Sequence, residues 1–184
     1  MSATKEAPTI TIRKARVPDY ELFLKMRAEL DAMLLARRPG HDMVRSEEWA
    51  LEFKLRTGEM IVQAGTLVFL AFVGERPAGF LVGELFPITG SGDAGGCCSE
   101  IFVREQFRGD TKAGLGGVAG ALVKSALHAA KQLRLSALQA LVLDVLPDHQ
   151  ARLMRAGFRP IGRVMERRFS YEQPEQSRTS GLEG

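Results

Sequence analysis

The sequence predicts a single α/β domain built on one central sheet of about seven strands with about four flanking helices. Three observations lead there. Short runs rich in β-branched and aromatic residues read as strands, and longer segments between them carry apolar residues at helical spacing. Glycine and proline clusters punctuate the boundaries. No internal repeat is present, and the elements run strand, two helices, three strands, helix, strand, helix, two strands.

Thr9 to Ala15 alternates, with Ile10 and Ile12 on one face and Thr11 and Arg13 on the other, which makes a first strand. Val17-Pro18-Asp19 ends it, and Asp19 can cap a helix. From Tyr20 to Arg37 the residues Leu22, Phe23, Met26, Leu30, Met33 and Leu34 follow the spacing of an amphipathic helix that Arg38-Pro39-Gly40 breaks. Ser46 caps a second helix carrying Trp49, Ala50, Phe53 and Leu55, with Gly58 expected just past its end. Thr66 to Val73 and Ala78 to Phe86 form two strands around the turn Gly74-Glu75-Arg76-Pro77.

Pro87 to Gly96 reads as a mobile glycine-rich loop, and Ile101-Phe102-Val103 as the strand that follows it. A helix is expected from Val118 to Leu135. Ala137 to Val145 is apolar at nearly every position, the pattern of a strand buried on both faces. A short helix from Asp148 to Arg155 and an alternating strand from Gly162 to Phe169 close the domain. The domain therefore spans 1–171, and residues 172–184, almost free of apolar side chains, read as a disordered tail.

Composition excludes several function classes. Among 184 residues, 45% are hydrophobic and 26% charged, ordinary values for a soluble globular protein. No apolar run approaches the ~18 residues of a membrane span, and the N-terminus lacks the apolar core of a secretory signal. Cys97 and Cys98 are adjacent, so they form neither a disulfide framework nor a C-x-x-C site. These features place the chain in the cytoplasm, with no membrane partner. A net charge of +3 suits an anionic ligand but is too small to argue for nucleic acid, where a clustered basic face is expected. The histidines are scattered at 41, 128 and 149, so no metal site is expected. A homodimer is left open.

The chemistry concentrates between Ser99 and Leu127. There a strand leads through a basic, glycine-dense loop, Arg108 to Gly117, into a helix N-terminus. Such a loop lets backbone amides converge on an anion, and the first N–H groups of the helix are unpaired and dipole-positive. A P-loop is excluded, because Val123 stands where Lys124-Ser125 would need a preceding glycine. Gly114 to Ala119 matches the G-x-G-x-x-A form of a dinucleotide fingerprint. The preceding strand, however, stops at Val103, roughly ten residues too early for the tight turn that motif requires.

On these residues the chain resembles the GNAT N-acetyltransferase superfamily. In that family a central strand ending in an apolar-x-Val triplet is followed by an Arg-Gly step and a G-x-G/A turn into a helix. Here Ile101-Phe102-Val103 supplies the strand end, and Arg108-Gly109 follows Val103 by five residues. Gly117-Val118-Ala119 supplies the turn and Gly120 the helix start, and Ala156-Gly157-Phe158 matches the family's sixth-strand start. The chain departs from the family in inserting Asp110 to Gly116 between the two steps, so that Lys112 would bring the loop's charge. The resemblance implies a mixed, mostly antiparallel sheet that splays between its fourth and fifth strands. It implies acetyl-CoA as co-substrate and an amine, of a small molecule or a protein, as acceptor, with direct attack in a ternary complex. The implied cofactor contacts are Ile101, Phe102, Val103, Arg108, Gly109, Lys112, Gly114, Gly116, Gly117, Val118, Ala119 and Gly120.

Acetyl transfer to an amine needs a base for the ammonium, a donor for the developing oxyanion and a proton for the departing thiolate. The resemblance implies the backbone N–H of Val103 as that donor. For the base, Glu100 leads: it stands three residues before Val103, where many family members carry a carboxylate. Its simpler role is a cross-strand ion pair or a solvated strand residue. Glu84, on the third strand, is the second candidate, as base through a water or as anchor for a cationic acceptor. For the acid, the family often uses a tyrosine four residues before the glycine of the Gly-Phe step, but here that residue is Leu153. Tyr171 lies beyond the last strand. His149, whose imidazole type titrates near neutrality, is the candidate left, although beside Asp148 it equally suits an exposed helix start. The missing tyrosine and the stretched loop keep an alternative open: a non-catalytic acyl-CoA binder or interaction module on the same fold.

Overall fold

The structure, a computed structural model, describes residues 9–36, 47–88, 93–108, 117–141 and 147–160. Five strands form one sheet in the order β1 (Ile10–Lys14), β2 (Thr66–Val73), β3 (Arg76–Pro87), β4 (Ala94–Val103) and β5 (Ala137–Ala140). The first four are antiparallel neighbours, and β5 lies parallel to β4. Helices α1 (Tyr20–Ala36) and α2 (Glu47–Val62) cover one face, α3 (Gly117–Gln132) covers the other, and α4 (Pro147–Arg155) follows β5. The mixed, mostly antiparallel character is thus present. The described sheet has five strands; the expected strand over 162–169 and the tail over 172–184 lie outside the described residues.

The alternation of each strand separates two cores. On the α1–α2 face, Phe23 and Met26 of α1 meet Val68, Leu70, Phe80, Val82 and Phe102. The Phe23 and Phe80 rings pack edge to face at 5.2 Å, and Phe80 continues to Phe102 at 5.6 Å. On the other face, Val118, Leu122 and Ala126 of α3 cover Ala71, Ala78, Leu81 and Cys98.

Four boundaries differ from the sequence reading, each for a packing reason. First, α2 runs through Gly58 to Val62, with that turn packed on the Tyr20 ring, whose hydroxyl donates to Lys54 O at 3.2 Å. Secondly, β4 begins at Ala94, so Gly95 and Gly96 are buried strand residues rather than loop. A Cβ on Gly95 would stand 2.7 Å from the Phe86 ring, and one on Gly96 would stand 2.9 Å from Leu135. Thirdly, α3 stops at Gln132, where Arg134 takes a left-handed φ of 53° and Leu135 N–H closes back on Ala130 O. Finally, β5 is described only to Ala140 and is not buried on both faces: Leu138 and Ala140 turn toward α3, whereas Ala137 and Gln139 are exposed.

Candidate active site

Two parallel strands joined through a helix bring their carboxyl ends and the helix N-terminus to one place, the usual ligand position in open α/β sheets. Here β4, α3 and β5 make that unit. The β4–β5 ladder is described from Gly95↔Ala137 to Cys98↔Ala140, and Leu141 N–H donates to Cys98 O beyond it. On the other side of β4, Arg104 N–H donates to Ala78 O. Antiparallel ladders alternate, so Val103, opposite Gly79, belongs to a non-hydrogen-bonded pair and turns its N–H and C=O away from β3. Gly79 is required there, since a Cβ would fall 2.3 Å from Phe102 O.

Arg108 closes over this strand end. A single 3₁₀ turn, Glu105–Phe107, carries it back so that its Nε donates to Val103 O at 2.6 Å. Its guanidinium carbon lies 5.9 Å from the Phe102 ring centre, and the side chain is exposed. At the start of α3, Gly117 has a φ of +72°, a Cβ added there would meet nothing within 4 Å among the described residues, and the first turn carries no acidic residue. Val118 and Gly120 are buried toward the sheet, while Gly117 is exposed and Ala119 half-buried. The acid-free first turn of the helix fits a phosphate group. Gly109, Lys112, Gly114 and Gly116 lie outside the described residues.

The α1–α2 face of the same strands carries the carboxylates. Ile101 and Val103 pack on the α3 side, whereas Phe102 and Glu100 turn to α1. Arg27 of α1 holds both oxygens of Glu100, with Nε–Oε2 at 3.0 Å and an Nη2–Oε1 contact at 2.6 Å. Arg27 Nη1 also donates to the buried Thr57 hydroxyl at 2.9 Å, and Thr57 donates to Phe53 O at 2.6 Å. The guanidinium sits 4.9 Å from the Phe53 ring centre, so an aromatic ring also holds it. A second clamp, Arg104 to Glu29 with two bonds of 2.7 Å, ties the end of β4 to α1.

Glu84 stands on the same face. A β-bulge between Val82 and Gly83 sets two residues of β4, Ser99 and Glu100, against one step of β3. The Ser99 hydroxyl donates to Glu84 Oε1 at 2.9 Å. Cys97, directly opposite Glu84, has its thiol pushed up by burial and by the Glu84 charge, and burial pushes Cys98 up to about 12. His149 lies in the first turn of α4, and its side chain falls outside the described part. Leu153 is buried. A separate groove of about 520 Å³, between Ile12, Leu67 and Phe69 and the α3 residues Lys124, Ser125 and His128, lies at the β1 edge, away from this site.

The sequence reading named the strand end, Arg108, Gly117 and the two carboxylates, of which Glu84, opposite Cys97, stands five residues along β3 from Gly79, the partner of Val103. It missed Arg27, Thr57, Glu29, Arg104 and Ser99. Arg27 follows Phe23 by one turn, so a charged residue fell within the stripe that faces the sheet, and Thr57 bears the same relation to Phe53. Those spacings were a usable signal. The bulge that aims Ser99 leaves none in the sequence.

This arrangement defines the GNAT acetyltransferase fold. Solved structures agree over nearly their whole length. The chain is similar to a ribosomal-protein-alanine N-acetyltransferase from Brucella melitensis biovar Abortus 2308, at 17% identity and a TM-score of 0.67, covering 88% of this chain and 99% of that one. It is similar to the aminoglycoside N-acetyltransferase AAC(6')-Iy in complex with CoA, at 17% identity and a TM-score of 0.66, covering 91% and 99%. It is also similar to a transcriptional regulator from Bacillus halodurans C-125, at 19% identity and a TM-score of 0.64, covering 88% and 100%. No family model and no curated protein matches the sequence.

Proposed function

We propose that the protein is an N-acetyltransferase that moves an acetyl group from acetyl-CoA to an amine in a ternary complex. The observation that carries this reading is the β4 end: a backbone N–H turned out of the ladder at Val103, beside an acid-free helix start at Gly117. Gly117 to Gly120, with Arg108 and the loop before them, would hold the diphosphate. Acetyl-CoA supplies the thioester. The amide of Val103 orients its carbonyl, and the α1–α2 face takes the amine.

Glu84, exposed on the α1–α2 face, favours a cationic amine. A small amine and a protein amino group both meet that requirement. The reaction needs no side-chain acid at position 153, because thiolate is a good leaving group and solvent can protonate it. The reading places the chain among cytoplasmic enzymes, where acetyl-CoA is at hand.

The test is thiol release from acetyl-CoA across a panel of primary amines, with the acetylated product identified by mass. Amine-dependent thiol release supports the reading. Binding of CoA without turnover on any amine overturns it in favour of the non-catalytic binder.

A further inference from the structure

Resting on the acetyltransferase reading, we infer that Arg104 is a positioning residue: by locking the end of β4 to β3 and α1, it aims the Val103 N–H at the acetyl carbonyl. An amide helps a developing oxyanion most when its direction is set before the charge forms. The Val103 side chain, packed on the α3 side, leaves that task to its neighbours.

Two peptide groups flank Val103, and both are pinned to β3. Phe102 O lies so close to Gly79 that no Cβ fits there, and Arg104 N–H donates to Ala78 O at 2.9 Å. In a trans peptide the N–H and C=O point in opposite directions, so both polar groups of Val103 face away from β3. Just past Val103 the strand ends, and fraying there would let the plane rotate. The Arg104 side chain opposes this. Alternation turns it to the α1 face, the face of Phe102. There Nη1 donates to Pro77 O at 3.0 Å, the carbonyl next to the one that its own N–H holds. Nε and Nη2 bind the two oxygens of Glu29 on α1, each at 2.7 Å. One residue thus ties β4 to two other elements, and the Arg104–Glu29 pair, 16% and 34% exposed, is partly shielded from water. A guanidinium suits this place because its planar fork can meet a carboxylate through two bonds and still present a third N–H to a carbonyl.

The step that needs the aim is addition. The free amine nitrogen adds to the acetyl carbon, and the carbonyl π pair moves onto oxygen, where the Val103 N–H meets it. When that pair returns, the C–S bond breaks and sulfur keeps its electrons. The nitrogen gives up one proton and the thiolate takes one up, leaving amide and free thiol. Arg104 touches none of these atoms and acts through the Val103 amide.

The experiment compares the parent, Arg104→Met, Arg104→Lys and Glu29→Ala. It measures kcat for thiol release with an amine that the parent acetylates, CoA affinity by calorimetry, and the infrared carbonyl stretch of isotope-labelled acetyl-CoA bound without amine. The stretch should lie below its value in water in the parent and move back toward it in Arg104→Met. That variant should lower kcat about 10²-fold per folded molecule, the scale of a misplaced reacting group, with CoA affinity unchanged. Arg104→Lys, which reaches Glu29 or Pro77 O but not both, should fall between. Should Arg104→Met fail to fold, Glu29→Ala decides: it should lower kcat about 10-fold, the scale of one lost charged hydrogen bond, and move the stretch the same way. An unchanged stretch or an unchanged kcat in the folded variant would overturn the role of Arg104 while leaving the acetyltransferase reading intact. A parent without amine-dependent turnover would overturn both.

Discussion

Arg27 on α1 grips Glu100 on β4 through both carboxylate oxygens, at 3.0 and 2.6 Å, across the interface between the first helix and the sheet. Side chains 13% and 21% exposed leave little water to replace either partner. The pair therefore fixes how α1 docks on the strand that would hold the thioester.

Removing one partner should be costly. Arg27→Met strands a half-buried carboxylate and should destabilise the fold by about 3 kcal/mol, near the lower end for broken buried pairs. The double variant Arg27→Met with Glu100→Leu should recover most of that loss, because an apolar pair of similar size needs no desolvation of charge. Urea unfolding of the two variants checks it; equal losses in both would contradict the strut.

The same geometry separates chemistry from packing. Glu84→Gln should raise KM for a cationic amine, with little change in kcat or in unfolding midpoint, because Glu84 stands opposite Cys97, away from Val103. Glu100→Gln should reduce stability while retaining most turnover per folded molecule. Measuring kcat and KM beside urea unfolding for both variants decides this, and a loss of kcat in Glu100→Gln without loss of stability would make Glu100 the base.

The thiols report burial on the two faces. The Cys98 thiol is pushed up to about 12, chiefly by burial and then by Cys97, and Cys97 is raised by burial and by Glu84. Only thiolate reacts with aromatic disulfides, and a raised value means less thiolate at pH 8. Native protein should therefore label slowly, Cys97 before Cys98, and both should label at once in denaturant. Glu84→Gln should speed labelling at Cys97 and leave Cys98 unchanged.

Much of the fold was legible because its signals are local. The β-branched and aromatic run over Thr66–Val73 and the 3-4 spacing after Tyr20 depend only on neighbours in the chain, and both elements stand where those patterns put them. The residues that the proposed cofactor end would use were readable for the same reason: a strand end, Arg108 and Gly117 lie within one short stretch. What escaped was decided by distant packing. Gly95 and Gly96 sit in a strand because Phe86, Leu135 and Leu138 need the space, and Gly58 lies inside a helix that packs on Tyr20. The grip of Arg27 on Glu100 joins residues 73 apart in sequence, a relation no local pattern records.

The central claim, that the β4–α3 end holds acetyl-CoA, is tested most directly by calorimetric titration of CoA into the protein and into Gly117→Val. The account predicts saturable binding by the parent, weakened when the 3′-phosphate and diphosphate are removed. Gly117→Val places a β-branched residue at a φ of +72°, where glycine alone is unstrained, and puts a side chain where phosphate must reach the backbone. It should abolish binding in a protein that still unfolds cooperatively. Absence of heat from the parent at millimolar CoA, or equal affinity in Gly117→Val, would contradict the account.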